Sequence, residues 1–312
     1  MGKIDIMRSA VKYCFDSRYR FLINANLFHK YDSMPDDMFL KRKYEAALKR
    51  KINLDYPERF NDKLQWLKLN DRRDEYTLMV DKHAVKEFIS DIIGEKYIIP
   101  TLGVWDDPEK IDFDLLPNRF VLKCNHNSGL GMCICKDKSK LDIQKVKKEL
   151  RKGLEQDYYL TGREWPYKNV SRKIIAEQYI SDGTNSLTDY KVHNFNGVPK
   201  FILVCKDRFS ESGLTEDFFS PEWEHLSVKR PGVSQSLKPI SEPDELKEIL
   251  DISAKLSQNI PFLRADFYIV DHKIYFSELT FFPASGFDAF EPDEWDFTFG
   301  SWLQLPNSNN CK

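Results

Sequence analysis

The stretch Phe262-Leu263-Arg264-Ala265-Asp266-Phe267-Tyr268-Ile269-Val270-Asp271-His272-Lys273-Ile274-Tyr275-Phe276-Ser277-Glu278-Leu279-Thr280-Phe281 reads as two strands, Arg264 to Val270 and Ile274 to Leu279, joined by a polar turn. Paired positions in an antiparallel ribbon sum to a constant. A three-residue turn, Asp271-His272-Lys273, therefore sets Asp266 opposite Glu278 and Arg264 opposite Thr280. A two-residue turn, Asp271-His272, slips the register by one and turns Asp266 away. The longer turn is expected, because no glycine stands where a primed two-residue turn prefers one. Two carboxylates opposed across a ribbon repel each other, and a divalent cation between them removes the repulsion. Oxygen-only donors suit Mg²⁺, which takes one or two carboxylates and completes its shell with water and phosphate. Arg264 on the same face adds a forked cation suited to phosphate, and the apolar flanks Phe262, Leu263, Phe276 and Leu279 argue that this face is half buried.

Upstream, Phe120 to Lys123 reads as a strand that delivers Lys123 to Asn125-His126-Asn127-Ser128-Gly129-Leu130-Gly131. In that loop the amides around Ser128 and Gly129 can approach phosphate oxygens closely. The loop lacks the Gly-Lys-Ser/Thr of a Walker loop and is no dinucleotide fingerprint. The segment Lys173 to Ile180 reads as an apolar strand whose edge can meet a purine, with Glu177 accepting from an exocyclic amine. Around these pieces the pattern alternates. Asp81 caps a helix over Lys82 to Ile93, a short strand runs near Tyr97 to Ile99, and a charged helix spans Asp142 to Asp157. Strands Asp189 to Asn194 and Lys200 to Cys205 flank the turn Asn196-Gly197, and Glu242 to Gln258 has helical spacing. The first 75 or so residues read helical, with Met38 to Lys51 rich in helix formers and Asn61-Asp62 capping an apolar face. The fold class is α+β with mainly antiparallel pairing.

The chain has 312 residues, 41% hydrophobic and 31% charged, with 47 basic against 49 acidic side chains, which disfavours disordered and nucleic-acid-coating classes. No window is apolar enough to span a bilayer, and the charged first twenty residues break any signal-peptide core, so a cytoplasmic location is expected. The six cysteines are scattered and read as ordinary buried thiols. Lys12-Tyr13-Cys14-Phe15 and Arg18-Tyr19-Arg20-Phe21 favour a helix packed on its own domain, with peripheral membrane contact as the alternative. Asp112-Phe113-Asp114 could bind the metal of a nucleotide sugar, but reads better as a polar linker. The histidines show no ligand spacing, and the aromatic run from Phe281 to Trp302 reads as a packed C-terminal cap.

In order, Lys82, Lys123 before its glycine loop, Glu177-Gln178-Tyr179-Ile180, Asp189-Tyr190-Lys191 and Arg264-Ala265-Asp266 paired with Glu278-Leu279-Thr280 resemble the ATP-grasp superfamily. The resemblance covers roughly residues 75 to 290, and the last two motifs look like its TupA-like, teichuronopeptide branch. It implies two α/β lobes clamping a nucleotide behind a helical N-terminal lobe. The expected division is 1–75 for that lobe and 76–312 for the ATP-grasp domain. Within the latter, the phosphate-loop lobe lies at about 115–180, the metal-binding lobe at about 185–290 and the cap at 291–312. The resemblance implies ATP bound by Lys82, Lys123, Ser128, Gly129, Glu177, the backbone of Gln178 and Ile180, and Lys191. It implies Mg²⁺ on Asp266 and Glu278, with Arg264 neutralising the transferred phosphoryl group. Thr280 stands where many members carry Asn, which weakens a second metal site. The implied activity is ligation of a carboxylate to an amine through an acyl phosphate, in a setting of surface polysaccharide or acidic polymer. A glycosyltransferase and a non-catalytic nucleotide-binding scaffold are the alternatives.

Overall fold

The computed structural model describes residues 3–306 except 185, 209, 211 and 212, with side chains from residue 9 onward. Cys311 and the end of the C-terminal cap fall outside the described residues. Two antiparallel sheets organise the chain. The first has the order β1-β4-β2-β3, from Thr101–Trp105 (β1), Phe120–Cys124 (β2), Met132–Cys135 (β3) and Ile174–Gln178 (β4). The second has the order β7-β6-β5-β8-β9, from Asp189–Phe195 (β5), Val198–Lys206 (β6), Thr215–Phe219 (β7), Phe262–Val270 (β8) and Lys273–Thr280 (β9).

The helices are Lys3–Phe15 (α1), Ser17–Asn26 (α2), Asp36–Leu48 (α3), Phe60–Asn70 (α4), Glu75–Val80 (α5), Val85–Ile93 (α6), Ile143–Glu155 (α7), Tyr158–Gly162 (α8), Leu246–Leu256 (α9) and Glu294–Trp302 (α10). The capping chemistry read from the sequence holds at α7, where Asp142 Oδ1 accepts from Lys145 N at 3.0 Å. α6 starts three residues later than expected, so Asp81 Oδ1, which accepts from His83 N at 2.8 Å, closes the turn ahead of it, and Asn61-Asp62 lie inside α4, whose N-cap is Arg59. The strand expected near Tyr97 begins instead at Thr101. A 3₁₀ turn takes up Glu95–Tyr97, and only Ile98 bridges to Phe276. β3 and β7 were not anticipated.

Three apolar clusters hold these layers. The four-stranded sheet packs Phe120, Leu122, Ile174 and Ala176 against Val146 and Leu150 of α7. The five-stranded sheet carries the largest cluster, and α4 and α5 contribute Phe60, Leu64, Leu67 and Tyr76 to it. A small third cluster joins Phe21 of α2 to Phe39 and Leu40 of α3. The N-terminal helices therefore divide, with α4 and α5 continuous with the main core. Much of the aromatic C-terminal segment is packing material: Phe299 of α10 is fully buried and lies edge-on to Phe60 and stacked on Phe201. At the N-terminus the expected packed helix is only partly realised, for Phe21 is buried while Val11, Cys14 and Phe15 are exposed. No helix among the described residues is long and apolar enough to cross a membrane.

The β8-β9 hairpin departs from the expectation in an instructive way. Its turn has two residues, Asp271 and His272, with φ of 49° and 59°, the primed geometry that suits strand twist. Near the tip, Val270 pairs with Lys273 and Phe267 with Phe276, the register in which Asp266 would face Ser277. A bulge at Ser277 then adds one residue to β9, and from there Asp266 pairs with Glu278 and Arg264 with Thr280. The turn length read from the sequence is wrong, and the bulge restores the opposition that it was used to derive.

Candidate active site

Each sheet presents an ionic cluster to one pocket of about 520 Å³. On the four-stranded sheet, β2 carries Lys123 beside Glu177 of β4, because Val121 pairs with Glu177 and the lysine lies two residues further along. Both Glu177 oxygens are occupied: Lys123 Nζ lies 2.6 Å from Oε2 and Lys86 Nζ lies 2.6 Å from Oε1. Burial works to raise the Glu177 carboxyl, but Lys123 and Lys86 outweigh it and hold the group below its ordinary range. Glu177 is thus committed to two lysines, which corrects the expectation that its side chain would be free to meet a purine amine. Ile180, on the pocket wall beyond it, makes no main-chain hydrogen bond to another of the described residues, whereas Gln178 N–H already donates to Pro100 O at 3.0 Å.

The glycine loop is held at its base. Asn125 Oδ1 accepts from Lys173 N at 2.7 Å, Asn127 Nδ2 donates to Gly153 O at 3.1 Å, and His126, buried, meets Gln156 O at 3.1 Å. Gly131 has φ +69°, and a Cβ there would lie 2.8 Å from Cys124 Sγ, so the loop's return leg requires glycine. Only Ser128 to Leu130 project, and Ser128 and Gly129 line the pocket. Lys82 lies over this loop, donating to Asn127 O at 2.8 Å and reaching Glu278 Oε2 at 3.5 Å.

On the five-stranded sheet, Lys191, Asp266 and Glu278 form one cross-strand row over β5, β8 and β9. Asp266 is buried and doubly bonded: Arg264 Nε donates to Oδ1 at 2.7 Å and Nη2 to Oδ2 at 2.7 Å, with Lys191 Nζ also on Oδ2. Burial would raise Asp266, and Arg264 and Lys191 more than reverse it, leaving the carboxyl below its usual range. Burial likewise opposes the charges on Lys191 and Arg264, and their carboxylate partners push both well above ordinary values. Glu278 is the more open acid, with a side chain 28% exposed and held below its ordinary range against burial by Lys82 and Arg264.

The pocket wall includes Lys82, Lys123, Ser128, Gly129, Glu177, Gln178, Ile180, Lys191 and Glu278, while Arg264 and Asp266 lie beneath it. Sequence reasoning missed Lys86 and Arg208, and quoted Asp189 in a motif without giving it a role. Lys86 follows Lys82 by one helical step, the signal that could have found it. Asp189 pairs through Oδ2 with Lys191 at 2.6 Å, while its buried Oδ1 has no hydrogen-bond partner. Burial raises its carboxyl. This orphaned oxygen, with Glu278 and Asp266, gives an oxygen-only donor set on one sheet face, which fits Mg²⁺. Among the described residues no cluster of three or more metal-type ligands is preassembled, so Asp266 would exchange a cation partner on metal binding.

Asp112-Phe113-Asp114 lies outside this wall. Asp112 Oδ1 accepts from Asp114 N at 3.0 Å and Phe113 is buried, as in a capped turn.

Two antiparallel sheets closing on a pocket, with a lysine and glycine loop on one and a carboxylate-cation row on the other, define the ATP-grasp class. The family description TupA-like ATPgrasp matches residues 62–304, and the chain belongs to that family. No curated protein matches it in sequence. Among solved structures it is similar to a D-alanine–D-alanine ligase from Bacillus anthracis complexed with ATP, at 18% identity and TM-score 0.40, over 65% of this chain and 55% of that one. It is also similar to the D-alanine–D-alanine ligase of Helicobacter pylori, at 14% and 0.40 over 80% and 70%. A D-cycloserine synthetase is similar at 12% and 0.42 over 75% and 71%. The chain thus spans 55% of the length of the first of these.

Proposed function

We propose that this protein is an ATP-dependent carboxylate–amine ligase working through an acyl phosphate, with a uronic acid or acidic polymer of the cell surface as the carboxylate. The observation that carries the reading is the pocket itself. Lys82, Lys123, Ser128 and Gly129 line the same pocket as Lys191 and Glu278, with Asp266 in the cross-strand row between the last two. Lys123 and Lys82 would hold the phosphates, Ile180 would offer its free main-chain groups to the adenine, and Lys191 and Arg264 would meet the γ-phosphoryl group. Asp266 and Glu278 would hold Mg²⁺, which when bound draws charge from the phosphate oxygens. Phosphoryl transfer asks for positioning and positive charge more than for covalent help, and these side chains supply both. The two sheets act as jaws on the nucleotide, with the helices before residue 75 bracing them.

The test is a thermal-shift panel. ATP or ADP with Mg²⁺ stabilises the fold by mass action, and UDP-sugars leave it unchanged. Stabilisation by UDP-sugars alone would reverse the assignment. The double commitment of Asp266 favours one second reading, a nucleotide-binding scaffold without metal. ADP binding indifferent to Mg²⁺, with no ADP produced from ATP, would select it.

A further inference from the structure

The two lysines on Glu177 are bound in different ways. Lys86, in the first turn of α6, spends all three ammonium donors on fixed acceptors: Ile99 O at 2.8 Å, Thr101 Oγ1 at 2.8 Å and Glu177 Oε1 at 2.6 Å. Ile99 lies just ahead of β1, and Thr101 of β1 stands directly opposite Glu177 across the β1-β4 ladder. Among the described residues Lys123 meets only Glu177, through Oε2 at 2.6 Å, so its other donors are unspent. Lys123 lines the pocket and Lys86 does not. One ammonium is saturated away from the cavity wall, and the other is open to it.

This asymmetry answers an electrostatic difficulty. The Glu177 side chain is 6% exposed, and stripping a buried carboxylate of its sole partner is strongly destabilising. Held by Lys123 alone, it would keep that lysine from any phosphate. A lysine and a glutamate together also carry no net charge, and a neutral pair attracts a phosphate only weakly. With Lys86 added, the trio carries one net positive charge, and Glu177 keeps a partner when Lys123 turns away. Burial lowers the Lys86 ammonium from its ordinary value and Glu177 opposes that shift, so lysine and carboxylate sustain each other's charge.

We infer that Lys86 is a positioning residue, which holds Glu177 so that Lys123 can leave it for a nucleotide phosphate. The inference rests on the nucleotide reading above. Lys86 itself touches no phosphate, for its donors stay with Ile99, Thr101 and Glu177. Its contribution to nucleotide affinity therefore exists only while Glu177 carries its charge.

The test is calorimetric titration of the full chain with MgADP, arranged as a double-mutant cycle. Lys86→Met should weaken MgADP about tenfold, the size of one charge-assisted hydrogen bond, although its side chain does not reach the pocket. In a Glu177→Gln background no carboxylate holds Lys123 back, and the same substitution should change affinity by less than about twofold. Acetic anhydride labelling of the unaltered protein reads the same contrast should Lys86→Met fail to fold. MgADP should slow acetylation of Lys123, and Lys86 should stay unlabelled with or without the nucleotide. Absence of MgADP binding by the unaltered protein removes the nucleotide reading and this inference with it. Unchanged MgADP affinity in Lys86→Met overturns the positioning role alone, as does an equal loss in the two backgrounds or labelling of Lys86 that MgADP suppresses.

Discussion

Two buried carboxylates, one on each sheet, are each clamped by two cations, and the clamps differ in kind. Glu177 is held by two lysines, Lys86 and Lys123, and burial lowers Lys86 from its ordinary range. Asp266 is held by Arg264 and Lys191, whose charges their partners reinforce. A flexible lysine can leave its partner for a phosphate, whereas a forked guanidinium on a buried carboxylate forms a fixed strut. The four-stranded sheet therefore carries the adjustable half of the pocket and the five-stranded sheet the rigid half.

The sharpest way to break this contrast is Asp266→Asn. It takes the shared buried partner from Arg264 and Lys191, leaving them Glu278 and Asp189, and removing one partner of such a group costs about 3–5 kcal/mol, read as a lower urea midpoint. The fully buried carboxylate ties the fold as well as the site to this residue. Glu278→Gln separates function from fold. ADP production should fall about 10–100-fold while the melting temperature stays within a few degrees, because this acid is partly open. Lys123→Ala should weaken MgADP about tenfold, the loss of a charge-assisted hydrogen bond. Its effect on the urea midpoint should be smaller than that of Asp266→Asn, and equal losses in the two would erase the distinction between the clamps.

A fourth expectation concerns Lys68, which burial lowers to about 7. Between that value and the ordinary 10.5 the unfolded chain holds a proton that the folded chain has released, so stability should rise with pH across this window. Lys68→Met should flatten the slope of melting temperature against pH. The smallest effect belongs to Asp112→Ala, which lies outside the pocket and should leave nucleotide affinity untouched.

Much of the fold could be read directly because its signals are local. The cap at Asp142, the Asn196-Gly197 turn and the apolar β2 and β4 strands all show in short windows. β3 and β7 escaped because Met132-Cys133-Ile134-Cys135 is half exposed and Thr215-Glu216-Asp217 is acidic. Glu216 is buried only because Arg230 folds back on it at 2.6 Å from fourteen residues away. The partners of Glu177 and Asp266 are set by which elements meet in space, and a single chain reading has no access to that. The hairpin shows the same limit, for the turn obeyed strand twist and the register was set elsewhere.

That bulge carries a practical lesson for mutagenesis. Counted by alternation from the hairpin tip, Leu279 would point at the pocket and Glu278 into the core, whereas Leu279 is buried and Ser277 and Glu278 are both on the pocket wall. The ribbon is two lattices out of phase, and a scanning library that does not restart its count at Ser277 would randomise the core while believing it had sampled the site.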